Sequence, residues 1–85
     1  MLEVILRIGG GIGGLTAVRA INYSFPVGST LSDALIKFSN EISEEILDPT
    51  VIVVVNGVLI MEKDRGKYVL KEKDTISIVP GIAGG

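Results

Sequence analysis

Few residues in this chain can do chemistry, and the group best placed to react is the last one. The sequence ends in Gly84-Gly85. A glycine pair leaves the α-carboxylate of Gly85 without side-chain crowding for two residues. That carboxylate is ionised at ordinary pH, because α-carboxyl groups titrate near about 3.5. Such an end can thread a narrow groove and present an acyl group to another enzyme. The plainer reading is a frayed terminus. The chain carries 11 glycines in 85 residues, and at that composition about one chain in 60 ends in two glycines by chance. The pair therefore gains force only if a compact fold aims it.

What is missing narrows the field. There is no Cys, which excludes disulfides, thiol catalysis and Cys-ligated metals. There is no His, the commonest general base and metal ligand. A self-sufficient hydrolase or metalloenzyme does not fit, no metal site is expected, and the chain reads as a non-enzyme. The net charge of −2, with eight scattered Lys and Arg, gives no basic stripe for nucleic acid. The apolar runs Val51 to Val55 and Val58 to Met61 are too short to span a bilayer. The N-terminus has no signal-peptide pattern, so no membrane partner is expected and the cytoplasm is the expected location.

Two rival motifs have bland readings. Gly9-x-Gly11-x-x-Gly14 fits the dinucleotide fingerprint and follows a strand-like run. That fingerprint needs a helix next, whose N-terminus holds the pyrophosphate. Here Leu15 to Tyr23 reads as a strand and no Walker lysine follows, so the glycines read as a hairpin connection. Glu41, Glu44, Glu45 and Asp48 gather around a helix end and read first as a solvated face. Their functional reading is docking to a basic patch.

The elements that must position the tail are legible from periodicity. Leu2, Val4, Leu6 and Ile8 alternate with Glu3, Ile5 and Arg7, a period-two strand. With the strand over 15–23 it forms a hairpin. Phe25-Pro26-Val27-Gly28 reads as a turn. Thr30 is the expected N-cap and Asp33 suits the first helical turn. Leu31, Ala34, Leu35, Phe38 and Ile42 form one apolar stripe, opposed by Ser32, Lys37, Ser39 and Glu41. Val51 to Val55 is a β-branched strand stopped by Asn56-Gly57, a tight-turn pair. Short elements follow at Val58 to Ile60 and Tyr68 to Leu70, with a charged loop between them. Thr75 to Val79 is a last strand with Ile76 and Ile78 on one face, ended by Pro80.

One helix with one stripe needs one sheet face to cover. The expected fold is α+β: a mixed sheet wrapped around one main helix, the β-grasp or ubiquitin-like roll. A single domain over 1–80 and a tail over 81–85 are expected. Both faces of Val51 to Val55 are apolar, yet the helix covers only one. Either a loop covers the other set, or Val51, Val53 and Val55, extended by Ile5, Val58 and Ile60, form an exposed partner interface. A Val53→Glu substitution that left folding and partner function intact would sink the interface.

The chain resembles the MoaD/ThiS family of ubiquitin-like sulfur carriers. The resemblance rests on Gly28-Ser29-Thr30-Leu31, Val53-Val54-Val55-Asn56-Gly57 and Lys73-Asp74-Thr75-Ile76-Ser77-Ile78-Val79-Pro80, and above all on the closing Gly81-Ile82-Ala83-Gly84-Gly85. Pro80-Gly81 stands where MoaD-like chains usually have two prolines. The short first hairpin and the Ile-Ala-Gly-Gly end look more like ThiS, and the last strand looks more like MoaD.

The resemblance implies a co-substrate. An adenylating enzyme of the ubiquitin-activating type (MoeB- or ThiF-like) would use ATP to adenylate the Gly85 carboxylate. Sulfur would then replace an oxygen to give a thiocarboxylate. Gly81, Ile82, Ala83 and Gly84 would thread the partner's active site. The chain itself would bind no cofactor. In molybdopterin or tungsten-pterin synthesis, the expected pathway, a MoaE-like large subunit would take the sulfur. The alternatives are a ThiS-like carrier serving thiazole synthase in thiamine synthesis, a modifier conjugated to lysines, and a β-grasp binding module with inert terminal glycines.

Overall fold

The computed structural model describes residues 1–9 and 19–79. Five strands form one mixed sheet: β1 (Leu2–Ile8), β2 (Arg19–Phe25), β3 (Ile52–Val55), β4 (Val58–Leu59) and β5 (Thr75–Val79). The strand order is β2-β1-β5-β3-β4. β5 pairs parallel to β1 and antiparallel to β3, so it has a neighbour on each side. One α-helix, α1 (Leu31–Glu41), packs on one face of the sheet. This is the β-grasp arrangement expected from a single apolar helical stripe.

The helix starts where the sequence says it should. The Thr30 hydroxyl accepts from the Asp33 N–H, and the Asp33 carboxylate accepts from the Thr30 N–H, a reciprocal capping box. Such a cap is worth about 1 kcal/mol. The remaining orphan donors of the first turn find carbonyls far along the chain: Leu31 N–H donates to Tyr68 and Ser32 N–H to Arg65. The segment after β4 is thus tied to the helix by its own backbone. Leu31, Ala34, Leu35 and Phe38 are buried, and Ile42 closes the helix by donating its N–H to the Phe38 carbonyl.

Two details depart from the sequence reading. β2 runs through Phe25, whose ring is buried and lies 6.0 Å from that of Phe38, so Phe25 is a core residue and the turn begins at Pro26. Ser39 lies inside, not on the polar face. Its hydroxyl donates to the Ile36 carbonyl, which satisfies it locally without a core partner. The charged positions of the helix lie outside: Lys37 and Glu41 form an exposed i,i+4 ion pair at 2.7 Å.

The charged loop after β4 contains a short 3-10 helix, Glu62–Asp64, and a buried cation. Arg65 is 8% exposed, and its guanidinium donates to the Val51 and Ile60 carbonyls. A second 3-10 helix, Glu44–Leu47, follows α1 and buries Ile46.

Candidate functional site

The expected reactive end, Gly81 to Gly85, lies outside the described residues, as do the Gly10 to Gly14 cluster and positions 15–18, where the sequence placed the start of the second strand. What can be described is the platform from which residues 80–85 depart. Val79 is the last described residue of β5, opposite Ile52 on β3. On the other flank, Gly9 N–H donates to the Ile78 carbonyl at 2.8 Å. A Cβ on Gly9 would meet Val79 Cγ1 at 3.2 Å, so the Val79 side chain would have to give by a few tenths of an ångström to admit one.

The other end of β5 is fixed by a polar cluster around Asp74, which is 4% exposed. Its carboxylate accepts from Asn56 Nδ2 at 2.8 Å, from the Lys71 N–H at 2.8 Å and from the Tyr68 hydroxyl at 3.1 Å. Burial, then the hydrogen bond to Asp74 and its charge, raise the Tyr68 pKa. Asn56 also exchanges hydrogen bonds with Thr75, through its side-chain carbonyl and its N–H. Asn56 and Gly57 have φ of 51° and 83°, as the tight β3–β4 turn requires. The turn residues and the start of β5 are thus one unit, which sets the register of the strand that leads to the tail. Replacing Asp74 with Ala strands three donors. The expected result is a loss of about 2–4 kcal/mol in urea unfolding, with Asp74→Asn milder.

The exposed sheet face corrects the expected interface. Val51, Val53 and Val55 are 5%, 0% and 2% exposed and belong to the core. They cannot form a partner surface in the folded protein, because the helix covers their face. Ile60 is half-buried against the same core. Val58 is exposed, but it sits opposite Val55 at the sheet edge, on the helix side. Only Ile5 of the six lies on the outer face, half-buried.

The outer apolar surface is built from other residues. Register places Leu59, Val54, Ser77, Arg7 and Ala20 in one row across the outer face. Ile52 and Val79 form the adjacent row, at the tail end. Ile52, Leu59 and Val79 are 37%, 55% and 39% exposed. Arg7 is exposed and makes no ion pair among the described residues. The alternation of 51–55 did place Ile52 and Val54 together. It gave no means of deciding which set the helix takes.

The acidic group does not converge. Glu41 pairs with Lys37, and Asp48 accepts from the N–H and hydroxyl of Thr50, bonds that hold its carboxyl below the usual carboxylate range. Among the described residues no cluster of His, Cys, Asp and Glu could hold a metal ion, and no helix is long and apolar enough to cross a membrane.

The model of the ThiS family matches residues 18–85, from the second strand through Gly85. The chain belongs to the ThiS family. No curated protein sequence matches it. Solved structures share its fold at low identity. A putative molybdopterin converting factor, subunit 1, from Pyrococcus furiosus is 16% identical with a TM-score of 0.69, over 96% of this chain and 100% of that one. Small archaeal modifier protein 1 from Methanosarcina acetivorans is 18% identical with a TM-score of 0.68, over 100% and 98%. Urm1 from Trypanosoma brucei is 18% identical with a TM-score of 0.68, over 98% and 95%. These likenesses establish the β-grasp fold for this ThiS-family chain.

Proposed function

We propose that the chain is a sulfur carrier whose Gly85 carboxylate is the reacting group. A carboxylate is a poor electrophile. An oxygen of Gly85 attacks the α-phosphorus of ATP on an adenylating enzyme, releasing pyrophosphate and forming an acyl adenylate. A sulfur nucleophile supplied by a donor then displaces AMP, leaving a thiocarboxylate. With no Cys or His in the sequence, base and phosphate binding fall to the partner.

The observation that carries the reading is a family match that runs to Gly85, on a chain whose tail follows a central strand held from both sides. Six residues beyond Val79 reach at most about 20 Å when extended. A partner must therefore seat the sheet close to its own active site. The outer face around Ile52, Leu59 and Val79 suits that seating, with Arg7 as a cation for a partner carboxylate. The resemblance of the last strand to MoaD favours a pterin-cofactor pathway with a MoaE-like acceptor.

Intact mass tests the reading. With the cognate adenylating enzyme, ATP and a sulfur donor, one oxygen of the chain is exchanged for sulfur. Ladders on other proteins would make it a modifier instead, and no change with an active enzyme would leave a binding module. The docking face has its own test. An Ile52→Glu, Leu59→Glu double variant is expected to fold and to lose about tenfold or more in kcat/KM for adenylation. An unchanged rate assigns docking to another surface.

A further inference from the structure

A concave apolar surface adjoins the tail face and shares Ile52 and Leu59 with it. One hollow of about 300 Å³ lies between α1 and the two 3-10 helices, walled by Leu35, Ile36, Ile46, Leu47 and Pro49. Another of about 270 Å³ lies by the start of β3 and the end of β4, walled by Ile52, Leu59, Ile60 and Met61. The two share Pro49, Glu62 and Arg65, so they lie side by side with those residues between them, and the pair makes a divided channel. Ile36, Leu47 and Met61 are each at least half exposed along it, at 52%, 50% and 55%. Large aliphatic side chains gain by leaving water, so a run of them in a concave channel favours an apolar occupant.

The charges of the channel select the kind of occupant. Arg65 is buried and its guanidinium is committed to two carbonyls. Glu62 stands where the hollows meet, exposed, and its carboxylate has no hydrogen bond or ion pair among the described residues. Glu44, Asp48, Lys63 and Lys67 are exposed nearby but line neither hollow. The lining thus offers an uncommitted anion and no uncommitted cation.

We propose that this channel binds a segment of a partner protein carrying two large aliphatic side chains with lysine or arginine between them. One aliphatic side chain fills each hollow, and the cation pairs with Glu62 at the divide. Residues 80–85 of the chain itself are a poor occupant, since their terminal carboxylate would meet Glu62. A second copy is also disfavoured. Its Leu6-Arg7-Ile8 has the right order of types, but Leu6 and Ile8 are fully buried in the sheet.

The test uses the full chain, labelled with ¹⁵N, and two probe peptides: acetyl-Leu-Arg-Arg-Leu-amide and acetyl-Leu-Glu-Glu-Leu-amide. The arginine peptide is expected to move the amide signals of Ile36, Leu47 and Met61 saturably. The glutamate peptide is expected to bind about tenfold more weakly, because one attraction becomes one repulsion. Glu62→Lys should invert that preference, and Leu47→Asp should remove binding of both peptides without changing the melting temperature. Equal binding of the two peptides, no saturable shift with either, or a preference unmoved by Glu62→Lys overturns the proposal. Shifts at the same amides that follow protein concentration without peptide also overturn it, and give the channel to a second copy.

Discussion

A chain lacking Gly85 is expected to lose all sulfur loading and to melt at the same temperature as the full-length protein. The chemical part follows from where the acyl group sits. Removing one residue moves the carboxylate back by up to about 3.5 Å along an extended tail, and displacement on that scale is enough to cost orders of magnitude in a positioned reaction. The stability part follows from the platform. β5 is held through Val79 by β1 and β3, and its register is set at Asp74 and Asn56, at the opposite end of the strand. Intact mass after reaction with the adenylating enzyme reads the first effect and a circular-dichroism melt reads the second. Loading of the shortened chain at the normal rate would show that Gly85 is not the acceptor. A large fall in melting temperature would show that the terminus is structural.

The second large effect is on folding. Val53→Glu is expected to unfold the protein or to lower its melting temperature by tens of degrees. Val53 is 0% exposed and pairs with Ile78, itself fully buried under α1. A carboxylate there has no cation or donor to meet it, and burial of such a group costs several kcal/mol. Domains of this size have about 5–15 kcal/mol in total, and each kcal/mol moves the melting temperature by about 4–8 °C. Val54→Glu, one residue on and facing the outer side, is expected to cost about 1 kcal/mol or less. A Val54→Glu variant that melts well below Val53→Glu would mean that the helix lies on the other face of the sheet.

That pair of substitutions marks the limit of what could be read in advance. The helix was legible because Leu31, Ala34, Leu35 and Phe38 recur at helical spacing behind Thr30 and Asp33, a cap with a single geometric meaning. β1 was legible because its outer positions include Glu3 and Arg7, which cannot face a core. The Asn56-Gly57 turn was legible because both residues tolerate positive φ, and both have it. In 51–55 every residue is Val or Ile, so no polar position marks the solvent side, and the interface was assigned to the wrong set. A shift of one residue in register exchanges the two faces of a strand completely. Ser39 was misread, and the burial of Arg65 within the charged loop was not foreseen, for a related reason: type predicts exposure, while these side chains are satisfied inside by the carbonyls of Ile36, Val51 and Ile60.

The sequence by itself determined the β-grasp elements, the scarcity of groups able to react, and the Gly84-Gly85 ending that makes the carboxylate the group to test. Those are properties of local pattern and composition, and no partner is needed to express them. Only the tertiary structure decided that Ile52, Leu59 and Val79, rather than Val51, Val53 and Val55, surround the base of the tail. Which face of an all-aliphatic strand is covered depends on where the helix lies, and the helix is placed by contacts from distant residues: the Thr30 cap, the Arg65 and Tyr68 carbonyls, and the Phe25 and Phe38 rings.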